Sequence, residues 1–249
     1  MKTLFPYGLD APPVVRNLSA AAVVCWLGFA ASFIPSLPLR VDGLAWPALS
    51  FSFGAGAMVW SSRYGKLRRR EQLLDRLPWR GNERVLDIGC GRGLMAVAAA
   101  RRVPTGHVSG LDIWQSSDLS GNHAQALSVN AARECVGSRI ATLTADMRWL
   151  PLADASIDTV VSSMAIHNLA HAEARAQAIA EIVRVLKPGG LLLIDDIRHL
   201  RRHAEQLDAA GMQVALRRDL GHWGWRLLSL GRMAPGTLIG CKSVSEHRG

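Results

Sequence analysis

Residues 83–93, Glu83-Arg84-Val85-Leu86-Asp87-Ile88-Gly89-Cys90-Gly91-Arg92-Gly93, constrain this chain more than any other stretch. Val85 to Ile88 is a short apolar run that reads as a buried strand, three glycines at alternate positions follow at once, and Leu94 to Ala100 is helix-forming. Strand, glycine turn and helix in that order put backbone N–H groups and a helix N-terminus at the carboxyl end of a parallel strand. Doubly wound sheets bind nucleotide-like ligands there. The spacing Gly89-x-Gly91-x-Gly93 is not the G-x-G-x-x-G of dinucleotide binders, and it lacks the Gly-Lys-Ser/Thr ending of a P-loop. Asp87, inside the motif, would repel a pyrophosphate and attract a cationic ligand.

The chain beyond the turn alternates as a parallel α/β unit should. Strands are expected at His107–Ile113, Ile140–Thr144, Ile157–Ser163, Leu191–Asp196, Met212–Arg217 and Thr237–Val244. Helices are expected at Ala124–Glu134, Ala172–Leu186 and Glu205–Ala210, with Lys187-Pro188-Gly189-Gly190 as a turn. Asp112 ends the second strand at the separation, about 20 residues past the glycine turn, where an acid reaches ribose hydroxyls. A Trp-bearing apolar insertion, Leu220–Leu230, lies between the last two strands and suits either core packing or a bilayer-facing acceptor pocket.

Val85-Leu86-Asp87-Ile88-Gly89-Cys90-Gly91-Arg92-Gly93 resembles motif I of the class I S-adenosylmethionine-dependent methyltransferases, and Arg184-Val185-Leu186-Lys187-Pro188-Gly189-Gly190 resembles a second mark of that family. The resemblance covers about Arg80 to Val244. It implies a Rossmann-like, seven-stranded, mostly parallel sheet with helices on both faces, and S-adenosylmethionine as cofactor. It implies that Asp87, Gly89, Cys90, Gly91 and Gly93 surround the cofactor at the turn and that Asp112 and Ile113 meet it after the second strand. By the same match Asp146 takes the adenine amine, Met147 packs on the ring, and Ser162 and Ser163 lie at the methionine part. His167, Asp195 and Asp196 become the candidates for binding the acceptor or acting as base. Structural readings compete at several of these positions: helix capping for Asp146, Asp195 and Asp196, and a structural hydrogen bond for His167.

The first sixty residues differ in kind. Leu18 to Leu39 carries no charge, and neither does Gly43 to Ser62; each run is close to the roughly 20 residues that cross a hydrocarbon core. Two such runs argue against a secretory signal peptide, which has one. The expected organisation is a membrane-anchoring helical hairpin at 1–62, turning at Pro35–Asp42, then a basic juxtamembrane amphipathic helix at 63–80 and the methyltransferase domain at 81–249. A pair of buried core helices, or one helix lying in the interface, is the competing reading. Arg63, Lys66, Arg68, Arg69 and Arg70 follow the second run, while the turn holds only Arg40 and Asp42. The positive-inside rule then puts both chain ends, and the catalytic domain, in the cytoplasm at the inner membrane.

The net charge of +9 is largely accounted for by that membrane-facing cluster, and no appended nucleic-acid module or Asn-Pro-Pro-Tyr-type tetrapeptide is present, so nucleic acid is a weak choice of partner. Four scattered cysteines without a C-x-x-C pair give no metal site and suit a reducing cytosol. The small-residue run Gly54-Ala55-Gly56 leaves a homo-oligomer open. The expected activity is methyl transfer to a small or lipophilic acceptor such as a thiol, a phenol or quinol, or a lipid. The rivals are a membrane-anchored binding or assembly protein on the same fold, or a protein methyltransferase.

Overall fold

The computed structural model describes residues 5–36, 41–115, 121–218 and 235–244; the 220–230 insertion and the middle of the Pro35–Asp42 turn lie outside the described residues. The chain forms two compact units, residues 1–69 with 115–122, and residues 70–114 with 123–249.

In the first unit, α1 (Pro12–Ala31) and α2 (Ala45–Trp60) pack together. They run in opposite directions. Asp10, ahead of α1, takes Ser62, beyond α2, as its amide's acceptor at 3.1 Å, and the Trp26 indole donates to Ser52 Oγ at 3.1 Å. Small residues allow the approach: Ala22, Ala48 and Ala55 are buried, and a Cβ on Gly54 would sit 3.6 Å from Leu18. Gly54 and Ala55 are therefore used within the chain, on α1. A single π-helical turn, Ser61–Gly65, joins α2 to α3 (Lys66–Leu74). Lys66 Nζ donates to Tyr7 O (3.0 Å), Gly8 O (2.6 Å) and Asp10 Oδ1 (2.8 Å), which ties the start of the hairpin to its end. Among the described residues one helix, the 20-residue α1, is long and apolar enough to cross a membrane; α2 has 16 residues.

The second unit holds a seven-stranded sheet ordered β3-β2-β1-β4-β5-β7-β6. The strands are β1 (Arg84–Ile88), β2 (His107–Asp112), β3 (Ile140–Thr144), β4 (Ile157–Ser163), β5 (Leu186–Asp196), β6 (Met212–Arg217) and β7 (Gly236–Lys242). Neighbours from β3 to β5 pair in parallel, and β7 is antiparallel to both β5 and β6. Strand order reverses direction between β1 and β4, and that switch point opens a crevice at the strands' carboxyl ends. One face carries α4 (Leu94–Arg102) and α5 (Ala124–Arg133); Met95 to Ala100 are all buried, and the alanines let α4 lie close on Val85, Val108 and Val161. The other face carries α6 (Ala172–Val185) and α7 (Leu200–Ala209). Ile179, Ile182 and Val185 recur there at helical spacing against Leu86, Val160 and Leu192.

Three expectations are corrected. Lys187 to Gly190 is not a separate turn: β5 runs through it from Leu186. The extra residues are absorbed as an irregularity, since the register with β4 steps from Ile157↔Leu186 to Thr159↔Leu191, and Gly189 takes a φ of 75°. Arg70 does not reach out beside Arg68 and Arg69. It is buried, with its guanidinium 3.0 Å from Glu71 and 3.1 Å from Glu134, because α3 turns Leu73 and Leu74 into the core and carries Arg70 with them. The last helix starts at Leu200, five residues ahead of the expected Glu205.

Arg184, in the second motif, is a fastener. It donates to Leu150 O (3.0 Å), Leu152 O (2.8 Å), Asp154 (2.7 Å) and Glu181 (2.7 Å), so α6 holds the loop that follows β3. Lys242 at the end of β7 donates to the carbonyls of Val183 and Leu186, closing the C-terminal end of α6.

Candidate functional site at the carboxyl ends of the strands

The turn after β1 needs its glycines. Gly89, Gly91 and Gly93 have φ of 68°, 50° and 83°, a region that L side chains avoid. A Cβ on Gly89 would come within 2.2 Å of Ala165 Cβ, and one on Gly93 within 2.1 Å of Leu127 Cδ1. The turn is thus pressed between the segment after β4 and helix α5.

Most of the turn's amides are already engaged. Gly89 and Cys90 donate to Leu111 O (2.8 and 3.0 Å), Gly91 donates to Asp112 Oδ2 (2.8 Å), and Gly93 donates to Cys90 O (2.7 Å). This differs from a phosphate cradle, where such N–H groups point at the ligand. The groups presented here are acceptors.

Asp87 lies beneath the turn. It is buried and accepts the Ala96 N–H at 2.8 Å, the third amide of α4. Gly93, the N-cap of α4, has no side chain to cap with, so a carboxylate from the preceding strand does it. Burial, opposed by the Ala96 bond and reinforced by the charge of Asp112, pushes the Asp87 carboxyl up to about 7. The Cys90 thiol is buried beside it and is pushed up by burial and by both carboxylates, so it packs as a neutral group.

Asp112 ends β2 with both oxygens anchored, Oδ2 by Gly91 N–H and Oδ1 by Trp114 N–H (2.7 Å). Ile113 is 49% exposed, an apolar face at the rim of an otherwise buried sheet end. Trp114 was not foreseen. Its φ is 61°, it is held by the Asp112 bond and by its indole donating to Thr144 Oγ1 (2.8 Å), and it packs on the α4 side of the core. A non-glycine residue in that conformation is strained, and here two hydrogen bonds hold it.

After β3, Asp146 is paired with Arg148, two residues on. Its carboxylate accepts from Arg148 Nε (3.0 Å), from the terminal guanidinium nitrogen (2.6 Å) and from Arg148 N (2.9 Å), and this bonding holds its carboxyl below the usual range. The Asp-x-Arg spacing was readable in the sequence and went unread. Met147 comes over the glycine turn, its Cε 3.8 Å from where a Gly89 Cβ would stand.

At the end of β4, the Ser162 hydroxyl is buried and donates to Ile88 O (2.9 Å), fastening β4 to β1 across the switch point. Ser163 is half-buried, in register with Asp195. Met164, at φ 55°, bends the chain so that Ala165 meets Gly89, and Ile166–Asn168 follows as one 3₁₀ turn. The three acceptor-side candidates separate here. Asp195 is buried and accepts the Thr237 hydroxyl at 3.2 Å. Asp196 is buried and accepts Ile197 N–H (2.7 Å) and His167 N–H (3.2 Å). His167 keeps 17% of its side chain exposed, and its Nδ1 lies 2.5 Å from Asp196 Oδ1, a close approach in which the ring N–H is not aligned on the oxygen. The structure thus brings Gly89, Met147 and Ala165 together over β1, with Asp112 anchored beside them. Asp87, Cys90 and Ser162 sit underneath.

Residues 86–194 match the methyltransferase domain family. The methyltransferase GfsG of Streptomyces halstedii is 35% identical over 130 residues, 52% of this chain and 43% of the relative. The malonyl-[acyl-carrier protein] O-methyltransferase of Methylovorus is 35% identical over 173 residues, 67% of this chain and 56% of the relative. The chain thus spans about half the length of the curated relatives it matches. Among solved structures, the [4+2]-cyclase SpnF superposes with a TM-score of 0.58 at 20% identity, covering 74% of this chain and 84% of that one, a likeness of fold.

Proposed function

With residues 86–194 a methyltransferase domain that uses S-adenosylmethionine, we propose that the chain transfers the methyl group to a small or lipophilic acceptor at a membrane surface. The observation that carries the reading is the anchored Asp112 carboxylate beside the three left-handed glycines at the switch point. A site of acceptors flanked by Ile113 and Met147 fits a ligand that offers hydroxyl, amine and ammonium donors and an apolar ring edge; it does not fit a triphosphate. When bound, S-adenosylmethionine supplies a sulfonium methyl, an electrophile that needs an in-line nucleophile more than it needs acid or base.

These placements support the following roles. Asp112 accepts from ribose hydroxyls through charge-assisted bonds. Ile113 and Met147 flank the adenine, and Asp146 takes its amine while shared with Arg148. Gly89, Gly91 and Gly93, with the Cys90 backbone, let the ligand approach the sheet end, and Asp87 holds the turn and α4 in position from below. Ser162 and Ser163 line the end of β4 where the methionine part lies. The acceptor enters on the side of His167.

Two antiparallel apolar helices whose outer faces carry Val24, Leu27, Trp46, Phe53 and Trp60 in exposed positions support the membrane anchor. Arg63, Arg68 and Arg69 follow them, and Trp60 and Tyr64 suit an interface. Both helices cross, α2 with its π turn supplying the remaining length, and both chain ends face the cytoplasm. Turnover with methyl-labelled S-adenosylmethionine against thiols, phenols, quinols, amines and lipid extracts tests the activity, and calorimetry tests the cofactor. A well-folded protein that binds no S-adenosylmethionine overturns the reading. Cysteine labelling of the Pro35–Asp42 turn from the cytoplasmic side overturns the hairpin.

A further inference from the structure

Of the three groups that the sequence offers as acceptor-side base, the geometry leaves one. Asp195 is buried against Thr237, and Asp196 is buried with oxygens turned to Ile197 N–H and His167. Neither carboxylate faces an incoming acceptor. His167 is partly open, its Nδ1 is 2.5 Å from Asp196 Oδ1, and Asp196, at the end of β5, also receives the His167 backbone N–H, so the carboxylate at that strand end and the imidazole on the 3₁₀ turn are held side by side. The turn is itself fixed at the cofactor crevice. Met164 N–H donates to Asp195 O (2.8 Å), Met164 bends the chain in a left-handed conformation, and Ala165 closes on Gly89. A histidine set against a buried carboxylate, with its other nitrogen left for chemistry, is how proteins build a general base; here Nδ1 stands 2.5 Å from Asp196 Oδ1 without an aligned hydrogen bond.

We propose that His167 is the general base and Asp196 the positioning residue that orients it, and that the acceptor is a hydroxyl compound, a phenol or alcohol that is protonated near neutral pH. This rests on the methyltransferase reading and deepens it. An ionisable thiol would need no such pair, whereas a hydroxyl group that is protonated near neutral pH would. In the step, a lone pair of the acceptor oxygen forms the C–O bond as the methyl C–S bond breaks, the sulfonium becomes a neutral thioether, and the O–H proton passes to His167 Nε2 and then to water. The imidazolium formed is stabilised by Asp196. The surrounding charges are mixed: Arg175, Arg198, Asp196 and His167 all act electrostatically on His199, and Asp196, His199 and Arg175 act on His203, which is buried on α7. Burial is the main cause that holds the His199 and His203 imidazoles below the usual range.

The experiment uses the full chain in detergent or nanodiscs, with calorimetry for S-adenosylmethionine and turnover on hydroquinone, p-cresol, p-nitrophenol, a lipid extract and dithiothreitol. The expected result is methylation of hydroxyl acceptors. His167→Gln should lower it about 100-fold or more on the protonated phenols, the usual range for loss of a general base, with cofactor affinity unchanged. On p-nitrophenol, already largely ionised in mildly alkaline buffer, His167→Gln should lose little. Asp196→Asn should lower the rate roughly 10- to 100-fold and displace the acid limb of the pH profile, where a merely structural role would depress the rate equally at every pH. Equal activity of His167→Gln on protonated phenols overturns the proposal, as does a cofactor-binding protein that methylates thiols or amines and no hydroxyl compound. Failure to bind S-adenosylmethionine at all is a different outcome: it overturns the methyltransferase reading on which the proposal stands.

Discussion

The two compact units spend similar apolar residues in opposite directions. In the sheet unit, Leu86, Leu192, Leu193 and Ile194 are buried, and the charged groups buried with them, such as Asp87 and Glu83, accept backbone amides. In the helical unit, Leu27 is 66% exposed, Trp46 78% and Phe53 79%, while the polar atoms of Trp26, Ser52, Ser62 and Lys66 turn to partners within the unit. Apolar-out with polar groups satisfied internally is what a hydrocarbon solvent demands, and apolar-in is what water demands. The uncharged runs set the first unit apart in the sequence; the structure adds which way its apolar side chains face.

A matched pair of substitutions breaks the comparison most severely. Leu193→Asp puts an unpaired charge in the sheet core and should leave no folded domain, a loss above about 4 kcal/mol, read by thermal melting. Leu27→Asp should instead leave cofactor binding intact and cost about 2.5–3.5 kcal/mol on membrane insertion, read by flotation with liposomes. If Leu27→Asp unfolded the sheet unit, the membrane account of α1 would fail.

How each unit handles a buried charge is the next contrast. Lys66 is satisfied by carbonyls and Asp10, but Asp87 has one amide and a neighbouring carboxylate, and its carboxyl is pushed up to about 7 by burial. With the folded value above the unfolded one, the folded state holds an extra proton between about 4 and 7. Asp87 therefore contributes stability that is fully present below about 4 and is lost as pH rises through about 7. Asp87→Asn should flatten that part of the stability–pH curve by a few kcal/mol; an unchanged curve would show that the carboxyl is not held protonated.

Ligand affinity should respond in the sheet unit alone. Asp112→Ala removes a charged acceptor and should weaken S-adenosylmethionine binding roughly 10- to 100-fold by calorimetry, about 1.5–3 kcal/mol. The smallest effect is expected at Arg184→Ala, which unfastens the loop after β3 from α6 and should lower stability by about 1–2 kcal/mol with affinity reduced only slightly.

Much of the sheet unit was legible because its signals are local. Val85–Ile88 before three glycines, and alternating apolar runs thereafter, specify strand, turn and helix from neighbours in sequence. What was missed depends on distant partners. Arg70 looks like one of a basic run until Glu134, 64 residues away, takes it into the core. His167 and Asp196 are 29 residues apart, and only strands β4 and β5 lying side by side bring them together. Gly189-Gly190 reads as a turn in isolation, but β4 pairs with Leu186 on one side of it and Leu191 on the other, so the stretch is carried as an irregularity within β5. Asp112 was foreseen as a ligand acceptor, yet its two internal anchors are invisible without the Trp114 conformation.

The order β5-β7-β6 has a consequence for how the chain is made. Strand β6 sits at the sheet's edge and hydrogen-bonds to β7, which emerges later from the ribosome and must slide between β5 and β6. Until it does, two strand edges stand open at once, and Lys242 has not yet closed the end of α6. A nascent chain stalled before Gly236 would thus expose paired templates for aggregation. Among the described strands, β7 is the one whose arrival closes both edges at once.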